Sequence, residues 1–458
     1  STWTHTMKPF LSLLLAALCS VPLAAQSQTK LKQELRAKER AAQKDPDALF
    51  AAGTWAKQQS LDADAKRIFQ QVLKLDPDHE GANAALGFER VEGKWMPAEE
   101  AAKLREKARA AEMLAQGYVQ VEGIWVEPDH VEDARRGVFH HDGERVTRAE
   151  KVALDGGKVR HPETGQLIDE ADLEKARGGY FPLADGRWVA LDEANAWHAD
   201  FRRPWAFRTA YSTILSTLPL EKIKELKIYA DQGYETVAPL FGGRAPSPAP
   251  RPVILVAKTE SEYRDYGEAL GDGTDVAGAF LVRRDTKVDM PYRGEVRAAV
   301  CHNDKDWGTR YLRHAVALAY ANAVAQDTGA DLPLWFLHGV GSYTSRFEND
   351  SDAGWFGKQH LAKGGVGDLR AWFEGFALSG ELDSKAVAYN LYQAGLVLAY
   401  ATRGGDSNAT AAMLAVTDAL SGKGGGRAAD AIGVLERQLA ASRDGIAEYL
   451  RKLVEKAP

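Results

Sequence analysis

Residues 310–347, RYLRHAVALAYANAVAQDTGADLPLWFLHGVGSYTSRF, constrain the fold of this chain most tightly. Leu312, Val316, Ala319 and Ala323 recur at helical spacing. Asp331-Leu332-Pro333 then stands where a second helix begins, because proline is tolerated in a first turn and not in a helix interior. The stretch therefore reads as helix, short loop, helix. Each helix carries one histidine, His314 and His338, 24 residues apart. A histidine on an apolar helix is more often a hydrogen-bonded core residue than a metal ligand, and both readings are open here.

By layout this stretch resembles the active-site helix pair of the gluzincins, the thermolysin-like zinc peptidases, and of their peptidase-MA-like branch in particular. There a helix with H-E-x-x-H is followed by one with W-x-x-E-G-x-A-x-Y. Two histidines one turn apart and a glutamate from the second helix hold zinc, and the glutamate of the first motif activates water. The matching residues here are His314-Ala315-Val316-Ala317-Leu318 and Trp335-Phe336-Leu337-His338-Gly339-Val340-Gly341-Ser342-Tyr343. On that resemblance His314 keeps the first ligand position and His338 stands at the third. Ala315 occupies the general-base position and cannot take a proton. Leu318 occupies the second ligand position and cannot bind metal. The resemblance thus implies a peptidase-like fold with a degenerate zinc motif. No catalytic residue is assigned, His314 and His338 are vestigial metal positions, and no cofactor is expected, with zinc as the alternative. A rebuilt site would need His302, Asp304, Asp306 or His360 nearby. Trp335, Tyr343 and Tyr392 are candidates for lining a surviving cleft, and equally for the core.

The resemblance covers residues 205–458. The segment opens with an expected strand at 205–212, then a helix at 220–241 with Ile223, Leu226, Tyr229 and Tyr234 on its buried side. A proline-rich loop follows at 244–252, a buried strand at 252–257, a short helix at 261–270, and strands at 277–282 and 295–301. Sheet first, active-site helices next, is the gluzincin order. Asn390 to Gly395 is expected to begin a downstream helix. The fold class expected is α+β: a helical tetratricopeptide-like N-terminal part, small β-hairpin modules, then a thermolysin-like domain with a mixed sheet followed by helices.

Ahead of that domain the chain changes character several times. From Met7, a basic Lys8, an apolar run and Pro22-Leu23-Ala24-Ala25 read as a bacterial-type signal peptide at 7–25, with cleavage before Gln26. Residues before Met7 read as an extension. The apolar run is shorter than the roughly 20 residues a spanning helix needs, so no transmembrane segment is expected after cleavage. Export to the periplasm or outside the cell follows. Of the two cysteines, Cys19 and Cys301, only the second would then remain, which excludes an internal disulfide.

Residues 45–116 form the tetratricopeptide-like region. Gly53, Ala65, Phe69 and Pro77 fall at the spacings of that repeat of about 34 residues, and Leu86-Gly87 stands where a second repeat would start. Residues 117–200 hold the hairpin modules. G-x-W recurs at Gly93-Lys94-Trp95, Gly123-Ile124-Trp125 and Gly186-Arg187-Trp188, and hairpins are expected around the last two and around Asp155-Gly156-Gly157. A helix is expected between the first two motifs, at 98–116. The tryptophans read either as anchors of tiny hairpins or as an aromatic binding surface.

The formal net charge is −6 and no dense basic stripe occurs, so nucleic acid is excluded as a partner. The function that this reading favours is an exported, catalytically inactive pseudo-metallopeptidase that binds or scaffolds a peptide or protein. One alternative is an active zinc peptidase with rearranged ligands. Another is a structural or assembly protein acting through the repeat and G-x-W modules.

Overall fold

The computed structural model describes residues 21–243, 251–271, 278–282, 296–301, 307–421 and 427–458. The class is α+β, helices with small sheets. Most of the expected signal peptide, all of the 244–250 loop, and His302, Asp304 and Asp306 lie outside the described residues. No described helix is long and apolar enough to cross a membrane. The chain divides into two compact units, with the boundary between Val119 and Gln120.

In the first unit a helix at Val21–Ala42 precedes a packed pair, Pro46–Gln58 and Asp62–Leu75. Asp45 caps the first of the pair, its carboxylate accepting from the Asp47 and Ala48 amides. Gly53 lets the helices close: a Cβ there would lie 2.6 Å from the Phe69 ring. Ala65, Ile68, Phe69 and Val72 fill the interface. The second repeat expected at Leu86-Gly87 does not start. A six-residue helix, Glu80–Ala85, ends there, Gly87 turns with φ +81°, and strands Phe88–Val91 and Lys94–Pro97 follow as a hairpin. Residues 45–116 are therefore not helical throughout. The helix Ala98–Ala115 comes where the sequence places it.

Five two-stranded hairpins occur among the described residues, and each is followed by a helix. Three of the tight turns share one geometry. Glu92-Gly93, Glu122-Gly123 and Asp142-Gly143 put two successive residues at positive φ. That is the primed turn whose twist matches paired strands, and only glycine adopts the second position without strain. The hairpin Phe139–His141 with Glu144–Val146 was not expected from the sequence. Conversely, Asp155-Gly156-Gly157 is no hairpin turn. It closes the helix Arg148–Asp155, and the hairpin Lys158–Arg160 with Leu167–Asp169 follows it. Trp95, Trp125 and Trp188 are all half-buried. Trp95 donates to Asp78 at 3.1 Å, and Lys175 sits over the Trp188 ring.

A charged cluster joins the second unit's hairpins to its large sheet. Glu144 accepts from Arg208 at 2.6 Å, Arg251 at 2.7 Å and Arg160 at 3.0 Å, and Glu150 accepts from Arg208 at 2.6 Å. Burial raises both carboxyls, but the arginines around Glu144, and the Thr147 amide together with Arg208 and Arg160 at Glu150, outweigh it and hold both below the ordinary carboxylate range.

The sheet is mixed. Trp205–Arg208 pairs antiparallel with Thr213–Ser216, which runs parallel to Val253–Ala257, which runs parallel to Val296–Cys301. Ala279–Leu281 closes the edge antiparallel to the last. Alternation sorts the side chains to two faces. Leu215, Leu255, Ala257 and Phe280 pack on Tyr263, Tyr266 and Leu270 of the helix Glu260–Leu270. Phe207, Ile214, Ile254, Val256 and Ala298 face the helices Leu220–Val237 and Trp307–Thr328. Ile223 and Leu226 are buried as expected, whereas Tyr229 and Tyr234 are half-buried.

The Trp307–Thr328 helix lies between two cores. Leu312, Ala315, Leu318 and Ala319 face the sheet, while Ala317, Tyr320, Ala321 and Val324 join a helical core with Trp335, Phe336, Val340 and Leu396. A helix buried on both sides is apolar nearly all round. Leu334–Arg346 follows, with Pro333 as its N-cap, then Asp350–Ala362, Leu369–Glu374 and Ser384–Arg403. Residues 390–395 thus lie inside a helix and do not begin one.

Candidate functional site

His314 projects from the seam between the two cores, and His338 meets it from the second helix. His314 Nε2 and His338 Nδ1 are 3.1 Å apart, and both side chains are fully buried. Gly341 makes room. A Cβ there would lie 2.5 Å from the His314 ring. Gly339 does the same on the far side, where a Cβ would stand 3.1 Å from the Ala394 carbonyl.

The proton positions follow from the neighbours. Arg346 Nη1 lies 3.4 Å from His314 Nδ1, and a guanidinium only donates. His314 Nδ1 is then the acceptor, its proton sits on Nε2, and Nε2 donates to His338 Nδ1. The His338 proton is left on Nε2, which finds no partner among the described residues; neither does the Ser342 hydroxyl one turn on. Burial drives the His314 pKa well below its ordinary value, with His338 and Arg346 adding to it. Burial, then Arg346, pushes His338 down to about 3. Both rings are neutral at physiological pH.

Two imidazoles are fewer than the three or four ligands that a zinc site usually takes. Tetrahedral zinc would hold two imidazole nitrogens about 3.3 Å apart, so the separation alone fits either a metal or a hydrogen bond. Leu318 is one turn from His314, about 40° around the helix axis, and is fully buried in the sheet-facing core. Ala315, also fully buried, offers no base. A guanidinium beside His314 repels a dication. Among the described residues no three His, Cys, Asp or Glu side chains converge on a metal position. His360 therefore does not complete the pair; its ring stacks on Tyr389, with centroids 4.3 Å apart.

The expected cleft residues separate. Trp335 is core, packed on Phe336, Trp372 and Phe373 with its indole donating to Glu436 at 2.6 Å. Tyr343 is half-buried under the Arg403 guanidinium. Tyr392 borders a cavity with Arg346 and His360. Ser345 and Arg346 were missed by the sequence reading. The signal for Ser345 was present: it lies two turns beyond His338, on the same helical face. Ser345 donates to the Gly341 carbonyl at 2.8 Å, and Arg346 donates to Ser345 at 3.1 Å.

Gly341→Ala is expected to evict the His314 ring from its slot and to cost about 1–3 kcal/mol by overpacking. Denaturant unfolding of the variant beside wild type measures this; an unchanged midpoint would contradict the packing described.

No family model matches this sequence, and no curated protein matches it.

Proposed function

We propose that this chain is an exported pseudo-metallopeptidase: a gluzincin-like domain, degenerate at its zinc motif, preceded by a tetratricopeptide-like helix pair and hairpin modules. It acts by holding a peptide or protein and not by cleaving one. The observation that carries this reading is the His314–His338 hydrogen bond at 3.1 Å. It brings the first and third positions of the family motif together across a helix hairpin, while the base and second-ligand positions are the buried Ala315 and Leu318. The Arg346 cation beside His314 supports the loss of metal further. Export rests on the order of basic, apolar and small residues in 7–25.

The test is metal analysis and a general peptidase assay on purified wild-type protein. The expected result is far below one zinc per chain and no hydrolysis. One zinc per chain, lost in His314→Ala, would overturn the reading and favour an active enzyme with rearranged ligands.

A further inference from the structure

On the far side of Arg346 from the histidine pair lies a cavity of about 220 Å³. It is bordered by the helices Trp307–Thr328, Leu334–Arg346, Asp350–Ala362 and Ser384–Arg403. The arginines around it are not equal. Arg310 is paired with Asp352 at 3.0 Å, and Arg313 is paired with Glu348. Arg346 is 8% exposed and has no carboxylate partner among the described residues. Its nearest polar contacts are Ser345 and His314, and its other neighbours are the Tyr311 and Phe356 rings, each 5.9 Å away. An arginine stays protonated even here, and a buried charge without a counter-ion is costly.

The remaining walls have the same bias. Among the described residues no Asp or Glu lines the cavity, while Lys363 stands exposed at its rim. His360 is 2% exposed and lies between Gln393 and the Tyr389 ring. Tyr311, Phe356 and Tyr389 supply flat apolar surface. The volume is small for a drug-sized ligand and ample for one ring, since a cavity of about 150 Å³ holds benzene.

We propose that this cavity binds a small carboxylate anion carrying an apolar or aromatic group, with the carboxylate on Arg346 and the apolar body among Tyr311, Phe356 and Tyr389. A guanidinium fork matches a carboxylate with two parallel hydrogen bonds, which sets the class of ligand. The same chemistry is offered by a free aromatic acid and by the C-terminal residue of a peptide.

Calorimetric titration of the full chain separates these sources and tests the site. The probes are benzoate against benzamide, and N-acetyl-phenylalanine against its amide. Each acid is expected to bind at least about tenfold tighter than its amide, because the amide leaves the buried cation unpaired. Binding of benzoate assigns the site to free acids; binding of N-acetyl-phenylalanine alone assigns it to peptide termini. Arg346→Gln should abolish the preference for acid over amide. Ala388→Trp, at an exposed rim position, should fill the cavity and remove binding while leaving the circular dichroism spectrum unchanged. Equal affinity for acid and amide, no binding of either acid, or acid binding that survives Ala388→Trp would each overturn the proposal.

Discussion

Acidification from pH 7 to pH 5 is expected to remove about 4 kcal/mol of folding stability through two histidines alone. Burial pushes His338 to about 3 and His360 to about 4, while both return to about 6.5 in the unfolded chain. Above pH 6.5 neither state binds the proton, so nothing is lost. Below it the unfolded chain takes up protons that the folded one refuses, and stability falls with pH until the folded values are reached. Each histidine contributes about 2 kcal/mol over that interval. His314, driven down by burial in the same way, steepens the loss. Urea unfolding at pH 7, 6 and 5 measures it, and His360→Gln should make the slope shallower by one histidine's share. Stability that is flat across this range would mean that these rings are not buried neutral.

Leu318→His is the second large effect. Leu318 is fully buried among apolar residues of the sheet-facing core. Losing that burial costs about 1.5–3 kcal/mol, and leaving an imidazole there without partners costs about 1–3 kcal/mol more. A total of about 2.5–6 kcal/mol is expected in the absence of metal. Leu318→Met, which conserves volume and polarity, should cost under about 1.5 kcal/mol. The two variants compared by denaturant unfolding separate polarity from shape. A Leu318→His protein as stable as Leu318→Met would place residue 318 outside the core.

How much of this was legible in the sequence depends on what each residue's signal was. The helix pair could be read because Asp331-Leu332-Pro333 marks a boundary locally, and because a histidine is conspicuous on an apolar helix. The sheet was read except for Thr213–Ser216, whose polar ends hide a strand held by both neighbours. Two of the hairpins announced themselves through G-x-W. The one at Asp142-Gly143 did not, since its three-residue strands carry histidine and arginine. Asp155-Gly156-Gly157 misled because a glycine pair also ends helices, and the turn and the cap draw on the same residues. The Leu86-Gly87 repeat start failed because the spacing was right but the helix after it was replaced by a hairpin. Trp335 looked available for a cleft, and tertiary packing against Trp372 and Phe373 claimed it. Arg346 is a different kind of miss. Nothing in the local sequence distinguishes a buried unpaired arginine from Arg310 and Arg313, because the difference lies in where Asp352 and Glu348 are.

On the proposed reading, positions 314, 318 and 338 are the three ligand positions of a degenerate zinc site. It is tested most directly by rebuilding the ligands and leaving the base absent. Leu318→His with His338→Glu gives two histidines one turn apart and a carboxylate facing them. Thermal melts of this double variant and of wild type are compared with and without zinc. Zinc bound only to the folded state adds about 3 kcal/mol at a hundredfold its Kd. On a unit of this size that raises the Tm by about 5 °C. This rise is expected in the double variant and none in wild type. If the Tm of the double variant moves no more with zinc than wild type's does, and still does not when Arg346→Gln removes the repelling guanidinium, the ligand geometry is contradicted, and with it the pseudo-metallopeptidase reading.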